Sequence, residues 1–366
     1  MTDFAPPLRA DLLGVRSYGA PQLDVPVQLN VNENPYPLPD EVAAAMAAAV
    51  REVAPGLHRY PARDAVALRK ALAGYLRHES GVSVDWERIW PANGSNEVMH
   101  HLFLAFGGPG RTAISFEPTY SMYPEYARDT FTRYLPIPRT RDFTIDVDLA
   151  VDRIQDIRPA MVLLASPNNP TGTALPFSDL QALCRTAMSL GSMVIVDEAY
   201  AEFRRDGVPS ALSLLEGFGN LVVTRTMSKA FGLAGARVGY AVASDQAVIE
   251  ACRVVRLPYH LSAVTQVVAE VALAHADLLQ AQVDTLRAER DLLSDWLVDH
   301  GFQVVPSDAN FIMFGGFADR QGVWQRLLDQ GVLIRQTGPD GWLRVSIGTP
   351  QENDRFRQAL LSATKA

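Results

Sequence analysis

The chain contains 366 residues, with 33 basic and 41 acidic side chains and a formal net charge of −8. This acidic balance and the lack of a basic run argue against a nucleic-acid-binding surface. No apolar run reaches the length of a membrane span, and no apolar leader segment opens the chain. The isolated cysteines Cys184 and Cys252 are typical of core thiols in a reducing compartment, so we expect a cytoplasmic protein.

The hydrophobic fraction of 48% is sufficient for a large core, and the length corresponds to roughly two domains. Residues 1–35 are rich in proline and predict an irregular arm rather than a core element. Helical patterns follow near 39–53, 63–79 and 95–106. Short apolar runs then alternate with helical stretches, which is typical of a mostly parallel sheet covered on both faces. The runs lie near residues 111–116, 131–137, 161–165, 193–197, 221–225 and 237–243.

The pattern changes near the last hundred residues. Residues 263–299 predict one long helical stretch, and two further helices, near 320–330 and at the C-terminus, accompany four short strands. The strands lie near residues 302–305, 310–314, 332–335 and 342–347. We therefore predict a smaller α+β domain over 263–366, after an N-terminal arm over 1–35 and a large domain over 36–262.

Lys229 is the most informative residue, since it lies among small and hydroxyl residues in the run 226–237. A lysine amine in such a place can form a Schiff base with an aldehyde cofactor. The hydroxyls of Thr226 and Ser228 and the guanidinium of Arg237 can hold a phosphate near that amine. Pyridoxal 5′-phosphate (PLP) carries both an aldehyde and a phosphate. A solvated surface lysine is the alternative.

Asp197 ends a buried-looking strand, and ligands of open α/β sheets lie beyond the carboxyl ends of strands. A carboxylate there can keep the pyridine nitrogen of PLP protonated, which makes the ring an electron sink. A helix cap or a metal ligand is the alternative. The rigid turn 165–172 follows another strand end and can aim Asn169 at a ligand oxygen. Asn169 and Tyr200 are candidate donors to the phenolic O3′ of PLP.

Residues 93–97 lie between a strand-like pair and an apolar helix, and a helix start binds phosphate through its free amides. Ser95 and Asn96 are candidate phosphate ligands there, although both are also ordinary N-cap residues. Tyr120 begins the next predicted helix and can stack on the pyridine ring, with a core tyrosine as the alternative.

Arg335 and Arg344 lie in apolar, strand-like contexts near the C-terminus. Burying an arginine is costly unless it meets an anion. The Arg344 guanidinium matches a carboxylate in shape, so it is our candidate for the substrate carboxylate, with Arg335 at the distal end. Structural salt bridges are the alternative for both.

Together these segments resemble the fold-type-I PLP enzymes of the aspartate aminotransferase superfamily, and among them most closely the histidinol-phosphate aminotransferases. The resemblance covers almost the whole chain. It rests on Tyr18–Pro21, Asn32–Pro35, His58–Pro61, Asn93–Glu97, Ser166–Gly172, Asp197–Tyr200, Thr226–Gly239 and Arg344–Gly348. It implies an α/β fold with a seven-stranded, mostly parallel sheet between helices, a smaller α+β domain and an N-terminal arm.

The resemblance also implies roles for single residues. Lys229 matches the Schiff-base lysine, which then moves the proton during catalysis. Tyr60 matches a tyrosine that reaches the cofactor phosphate of a neighbouring subunit, which implies a homodimer with shared sites. Tyr18 and Tyr259, together with Arg335, match residues around the distal group of the substrate. Family members often carry aspartate at the position of Asn96. The remaining matches are Asp197 for the pyridinium, Asn169 and Tyr200 for O3′, Tyr120 for ring stacking, Ser95, Asn96, Thr226, Ser228 and Arg237 for the phosphate, and Arg344 for the carboxylate.

The expected reaction is reversible amino transfer from histidinol phosphate to 2-oxoglutarate, which yields imidazole-acetol phosphate and glutamate in histidine biosynthesis. An aromatic amino-acid aminotransferase, acting on phenylalanine or tyrosine, is the main alternative. A PLP-dependent decarboxylase or C–S lyase is a second. The ligand sensor of a transcription regulator is a remote third, because the N-terminal arm is too short and too weakly basic for a DNA-binding module.

Overall fold

The computed structural model describes residues 6–17 and 19–365, which form eleven α-helices, five short 3₁₀-helices and twelve strands within those ranges. The helices are α1 (Asp40–Val53), α2 (Val66–Ser80), α3 (Ser95–Phe106), α4 (Tyr123–Asp129), α5 (Val147–Ile157), α6 (Phe177–Ser189), α7 (Gln246–Val255), α8 (Ala263–Ala274), α9 (Ala276–Asp299), α10 (Arg320–Asp329) and α11 (Pro350–Thr364). The strands are β1 (Val27–Leu29), β2 (Ile89–Ala92), β3 (Thr112–Glu117), β4 (Arg133–Pro138), β5 (Met161–Ala165), β6 (Met193–Asp197), β7 (Leu221–Thr226), β8 (Gly239–Ala243), β9 (Gln303–Val304), β10 (Phe311–Gly315), β11 (Val332–Ile334) and β12 (Trp342–Ser346).

A seven-stranded sheet forms the centre of the fold, in the order β2-β8-β7-β6-β5-β3-β4. Strand β8 runs antiparallel to both of its neighbours, and the other pairs are parallel. Strands β5 and β7 are buried along their whole length, because helices cover both faces of the sheet. The predicted α/β class and the mostly parallel seven-stranded sheet are confirmed.

The register of the central strands decides where the site lies. Ala165 is paired with Asp197, and Asp197 with Thr224, so the carboxyl ends of β5, β6 and β7 lie side by side at one edge. Side chains that follow these strands therefore meet beyond a common edge, as the strand-end argument predicts.

The start of strand β8 differs from the prediction of 237–243. The strand begins at Gly239, because Arg237 has a left-handed backbone with φ of 56° and cannot continue a strand. A Cβ atom at Gly239 would lie 2.2 Å from the backbone nitrogen of Ser95. Glycine at this position thus allows the N-terminus of α3 to pack directly on the sheet.

The N-terminal segment contributes a strand, so the prediction of a wholly irregular arm is wrong. Strand β1 pairs in parallel with β11, with Val27 opposite Val332 and Leu29 opposite Ile334. Val27 and Leu29 are buried in the main core, which explains why this short apolar run is ordered. Strands β12, β10 and β9 form a separate antiparallel sheet.

The predicted single helix over 263–299 is divided into α8 and α9 at His275. The backbone NH of His275 donates to the carbonyl oxygens of Val271 and Ala272, and its ring Nδ1 lies 2.9 Å from the Val271 oxygen. The His275 ring and backbone NH thus share the Val271 carbonyl oxygen near the end of α8, and these contacts stabilise the break between α8 and α9. The proposed domain boundaries stay a prediction. Within the described residues, no helix is both long enough and apolar enough to cross a membrane.

Candidate active site

A cavity of about 410 Å³ lies beyond the carboxyl ends of the central strands. Most of the side chains predicted for cofactor and substrate line it, although they come from segments far apart in sequence. The predicted residues in its wall are Ser95, Asn96, Tyr120, Asn169, Asp197, Tyr200, Thr226, Ser228, Lys229, Arg237, Arg335 and Arg344. The fold therefore brings twelve predicted residues into one site.

Lys229 lies in the loop after β7, with its amine inside the cavity. Its Nζ donates a 2.8 Å hydrogen bond to the carbonyl oxygen of Val31. Burial, followed by the nearby Arg344 guanidinium, lowers the pKa of the Lys229 amine to about 8. A solvated surface lysine is therefore the wrong interpretation. An amine that loses its proton near neutral pH can act as a nucleophile and as a base.

Asp197 is the last residue of β6 and is buried. Its carboxylate accepts hydrogen bonds from the Tyr123 hydroxyl (3.0 Å) and from the backbone NH of Ala199 (3.2 Å). Burial raises the pKa of Asp197 to about 6. A protonated ring nitrogen beside this carboxyl would stabilise its charged form. In the part of the chain that the structure describes, no cluster of three or more His, Cys, Asp or Glu side chains could hold a metal ion, so a metal role for Asp197 lacks partners.

The phosphate end of the site is built from the start of α3 and the loop after β7. The N-cap of α3 is Gly94, which supplies no capping side chain, so neither Ser95 nor Asn96 is the N-cap residue that the sequence suggests. A Cβ atom at Gly94 would lie 2.6 Å from Arg237 Nη2, so glycine is needed for the guanidinium to approach the helix start. Helix amides and this cation together suit a phosphate group.

The hydroxyls of the phosphate end are arranged by local hydrogen bonds. Thr226 Oγ1 donates to Ser228 Oγ at 3.0 Å and accepts from the Ser228 backbone NH at 3.2 Å. Both side chains line the cavity with Lys229. The residue set therefore fits a ligand that presents a phosphate at one end and an aldehyde near the lysine.

Asn96 has a side-chain role that the helix-start argument does not predict. Its Oδ1 accepts hydrogen bonds from the hydroxyls of Tyr120 (3.2 Å) and Tyr126 (2.8 Å). Tyr120 precedes α4 by three residues, so the prediction that it begins that helix is wrong. It is half-buried, lines the cavity and also packs against the core. The amide thus fixes the tyrosine that was predicted to stack on the ring.

Asn169 connects two other predicted residues. Its Oδ1 accepts a hydrogen bond from Arg344 Nη1, and its Nδ2 donates to the Tyr200 hydroxyl oxygen at 3.5 Å. Arg344 and Arg335 face each other across a backbone bridge, and each NH donates to the carbonyl oxygen of the other at 3.0 Å. Two guanidinium groups therefore enter one cavity next to each other.

Two of the predicted residues that the structure describes are not brought into this cavity. Tyr60 stacks on Tyr259 at the surface, with ring centroids 4.5 Å apart, and Tyr60 is 80% exposed. Neither ring is part of the cavity wall. Tyr18 lies outside the described residues. Among the described residues of one chain, the cavity wall is thus formed without Tyr60 and Tyr259.

Some residues of the site have no role in the sequence-based prediction. Asn32 and Glu33 line the cavity, and Asn32 is hydrogen-bonded to the Tyr200 hydroxyl. Both belong to a motif that carried the resemblance but suggested no chemistry. Glu198, the neighbour of Asp197, pairs with the buried Arg225 at 2.8 Å. Neighbouring acids at a strand end therefore serve different purposes.

Comparison with known proteins extends this picture to the whole chain. The family description "Aminotransferase class I and II" matches residues 25–360. A histidinol-phosphate aminotransferase of Thermobifida fusca (strain YX) is 57% identical over 358 residues, which cover 98% of this chain and 95% of the relative. The similarity therefore extends far beyond the lysine motif.

Two solved structures share the fold. The histidinol-phosphate aminotransferase of Sinorhizobium meliloti, in complex with pyridoxal-5′-phosphate, has a TM-score of 0.86 at 22% identity and covers 100% of this chain and 99% of its own. An aspartate aminotransferase tetra mutant of Thermus thermophilus has a TM-score of 0.83 at 25% identity and covers 99% of both chains. The large sheet and the smaller sheets thus occur together in other proteins.

Proposed function

Because the chain belongs to the class I and II aminotransferase family, we propose that it transfers an amino group between histidinol phosphate and 2-oxoglutarate, with imidazole-acetol phosphate and glutamate as products. The main observation behind this proposal is that one cavity contains a lysine of lowered pKa, a phosphate cradle and two adjacent arginines. The relative from Thermobifida fusca supports the choice of substrate through its name and its 57% identity.

PLP is the cofactor that we propose for the site. Bound there, it supplies an aldehyde for the substrate amine and a protonated ring that withdraws electrons. Lys229 would hold the aldehyde as a Schiff base, and Asp197 would face the ring nitrogen. The O3′ oxygen would face Asn169 and Tyr200, and Tyr120 would cover the ring. The phosphate would lie among Ser95, Asn96, Thr226, Ser228 and Arg237.

The chemistry of the chain itself centres on Lys229. Once the substrate amine has replaced it on the aldehyde, the Lys229 amine would be free to remove the proton from the substrate carbon that bears the amino group. Burial lowers the pKa of this amine to about 8, which suits a base that works near neutral pH. The surrounding wall holds this amine in the same cavity as the substrate, which replaces a bimolecular encounter by a fixed geometry.

The paired arginines are the proposed anion sites. Phosphate and carboxylate both present two oxygens to a guanidinium fork, so one pair of arginines can serve histidinol phosphate and glutamate in turn. Arg344 is buried, and its contacts to Asn169 and to the Asn30 carbonyl oxygen (2.8 Å) hold it in one orientation. Arg335 lies beside it on the outer, half-buried side.

A homodimer with shared sites is part of the proposal. Tyr60 and Tyr259 stack on each other at the surface, and the segments that carry them also expose Leu57, Val254 and Leu257; these five side chains are the apolar patch. Arg256 joins the two segments of this patch, since its Nη1 donates to the Arg63 carbonyl oxygen at 2.6 Å. A second copy of the chain seated there would cover the patch and receive Tyr60. The two buried free thiols support a cytoplasmic location.

The cofactor assignment is tested by trapping. The sequence contains three lysines, Lys70, Lys229 and Lys365. Borohydride reduction of the PLP-loaded protein and peptide mapping are expected to place the label on Lys229. Lys229→Ala should bind PLP without being labelled and should lose transamination. Lys70→Ala, which changes an exposed side chain, is the matched control and should be labelled normally.

The substrate assignment is tested by competition. We expect a higher kcat/KM for histidinol phosphate than for phenylalanine, each with 2-oxoglutarate as acceptor. A higher value for phenylalanine would favour the aromatic aminotransferase instead. Failure of 2-oxoglutarate to regenerate the cofactor would indicate a decarboxylase or lyase.

A further inference from the structure

The segment 30–32 lies between strand β1 and the cavity, and each of its residues contacts a different site residue. The three contacts are Asn30 O to Arg344 Nη2 (2.8 Å), Val31 O to Lys229 Nζ (2.8 Å) and Asn32 Nδ2 to the Tyr200 hydroxyl oxygen (2.9 Å). The first two contacts use backbone oxygens, which any residue would supply. Only the third depends on the identity of a side chain.

The Asn32 side chain is held at both ends. The residue is 1% exposed and has a left-handed backbone with φ of 56°. The Ser346 hydroxyl accepts from the Asn32 backbone NH (2.8 Å) and donates to Asn32 Oδ1 (2.9 Å). Asn310 Nδ2 donates to the Asn32 carbonyl oxygen at 3.1 Å. These bonds give the side-chain amide one orientation, with its NH2 group toward Tyr200.

The orientation of the amide has a consequence for the Tyr200 hydroxyl. Its oxygen accepts from Asn32 Nδ2 and, at 3.5 Å, from Asn169 Nδ2. The two amide groups therefore donate to the lone pairs of the Tyr200 oxygen, and the hydroxyl hydrogen of Tyr200 points away from both amides. Tyr200 is part of the cavity wall, where the phenolic oxygen of the cofactor is proposed to bind.

We propose that Asn32 is a positioning residue that directs the Tyr200 hydroxyl toward the phenolic oxygen of the bound cofactor. The inference rests on the proposed function and extends it to a residue that was given no role in holding the cofactor or the substrate. Ser346 lies on β12, two residues after Arg344. Its hydrogen bond to Asn32 therefore connects the Tyr200 hydroxyl, through Asn32, to the strand that carries the anion site.

The test is a pH titration of the visible absorbance of the PLP-loaded protein. A donor to the phenolic oxygen stabilises its negative charge and so lowers the pH at which the chromophore loses its proton. Asn32→Gly removes the amide, and glycine adopts the positive φ without strain. We expect the titration midpoint to rise by about one pH unit, since a hydrogen bond to a charged oxygen has roughly that effect.

Two further variants separate this role from a general loss of structure. Ser346→Ala removes the hydroxyl that orients the Asn32 amide but leaves the amide itself in place next to Tyr200. The titration midpoint is therefore expected to rise by less than in Asn32→Gly. Asn34→Gly is the matched control, because the Asn34 amide donates to Gln282 Oε1 (3.2 Å) in the same segment. Its midpoint should equal that of the unchanged protein.

A double variant decides whether Asn32 acts through Tyr200. In a Tyr200→Phe background, Asn32→Gly should cause no further shift of the midpoint, because the group that it positions is gone. Equal shifts in both backgrounds, or an unchanged midpoint in Asn32→Gly, would overturn the inference. An unchanged protein that forms no visible band with PLP would instead overturn the proposed function, and the inference with it.

Discussion

The positive charge of Arg344 acts on the amine of Lys229 within the cavity, and after burial it is the largest cause of the lowered pKa of that amine, at about 8. Arg344, which we assign to the substrate anion, therefore also lowers the pKa of the nucleophilic amine of Lys229. An anion bound at Arg344 would reduce this effect, so binding of substrate and the proton affinity of Lys229 are linked.

The rate at which PLP combines with the cofactor-free protein is expected to depend on this pKa. Only the deprotonated amine attacks the aldehyde, so the rate should rise with pH and level off above about 8. Stopped-flow absorbance between pH 6 and 10 measures the midpoint. Arg344→Gln removes one cation and should move the midpoint upward, whereas Lys70→Ala should leave it in place. A pH-independent rate would contradict the assignment of Lys229.

Replacement of Asp197 by asparagine tests the electron sink. Asp197→Asn keeps the size of the side chain and an acceptor for the Tyr123 hydroxyl, but it cannot stabilise a protonated ring nitrogen. Removal of the substrate proton is expected to slow by about a hundredfold or more, as followed in single turnovers with histidinol phosphate. An unchanged rate would show that the carboxylate lies elsewhere.

The same variant has a predicted effect on stability without cofactor. The folded-state pKa of Asp197, about 6, is above its unfolded value. Its contribution to stability is therefore complete below the unfolded pKa and is lost as the pH rises through 6. At pH 7 the cofactor-free Asp197→Asn protein should unfold at a temperature no lower than that of the unchanged protein. This measurement also excludes misfolding as the cause of a slow reaction.

His101 is expected to make the protein sensitive to acid. It lies on the buried face of α3 and accepts a hydrogen bond from Trp90 Nε1 at 3.1 Å. Burial lowers the pKa of His101 to about 4. A depressed pKa contributes stability above the unfolded value of the group, and this stability is lost as the pH falls toward 4. The full loss amounts to roughly 3 kcal/mol.

Urea unfolding at pH 7 and pH 4.5 measures this loss. His101→Asn retains an acceptor for Trp90 but carries no titratable group, so its stability should depend less on pH than that of the unchanged protein. His58→Asn alters an exposed histidine and is the control. An equal loss of stability in all three proteins would exclude His101 as the cause.

Exchange of subunits tests the shared site. Lys229→Ala and Tyr60→Ala should each be poorly active as separate homodimers. After mixing under conditions that exchange subunits, hybrid dimers should contain one site with both native residues. Random exchange would restore about a quarter of the native sites. A mixture of Lys229→Ala with the double variant Tyr60→Ala/Lys229→Ala should restore none. If neither mixture recovers activity although subunits exchange, Tyr60 does not contribute to the site of the other subunit.

The central sheet was predictable because each strand carries its own signal. Strands such as Met161–Ala165 and Met193–Asp197 are continuous apolar runs, and burial on both faces requires such runs. The residues after them were predictable for the same reason, since parallel strands end at one edge. Asp197, Asn169 and Lys229 follow from this rule and from the chemistry of their side chains.

Contacts between distant segments could not be predicted in this way. The run Val27–Leu29 is too short to show a period, and only its pairing with β11 makes it a strand. Asn32 looks like an ordinary loop asparagine until Ser346 and Tyr200 are placed around it. The break at His275 depends on a side chain that shares the last carbonyl of a helix, and the helical periodicity continues across it.

The pairing of Val27 with Val332 has a consequence for synthesis of the protein on the ribosome. Strand β1 is synthesised roughly three hundred residues before β11, so the apolar run Val27–Leu29 stays unpaired while most of the polypeptide is translated. A nascent chain that already contains Lys229 still lacks the strand that closes the N-terminal segment over it. Truncated products of translation would therefore carry the reactive lysine without its native surroundings.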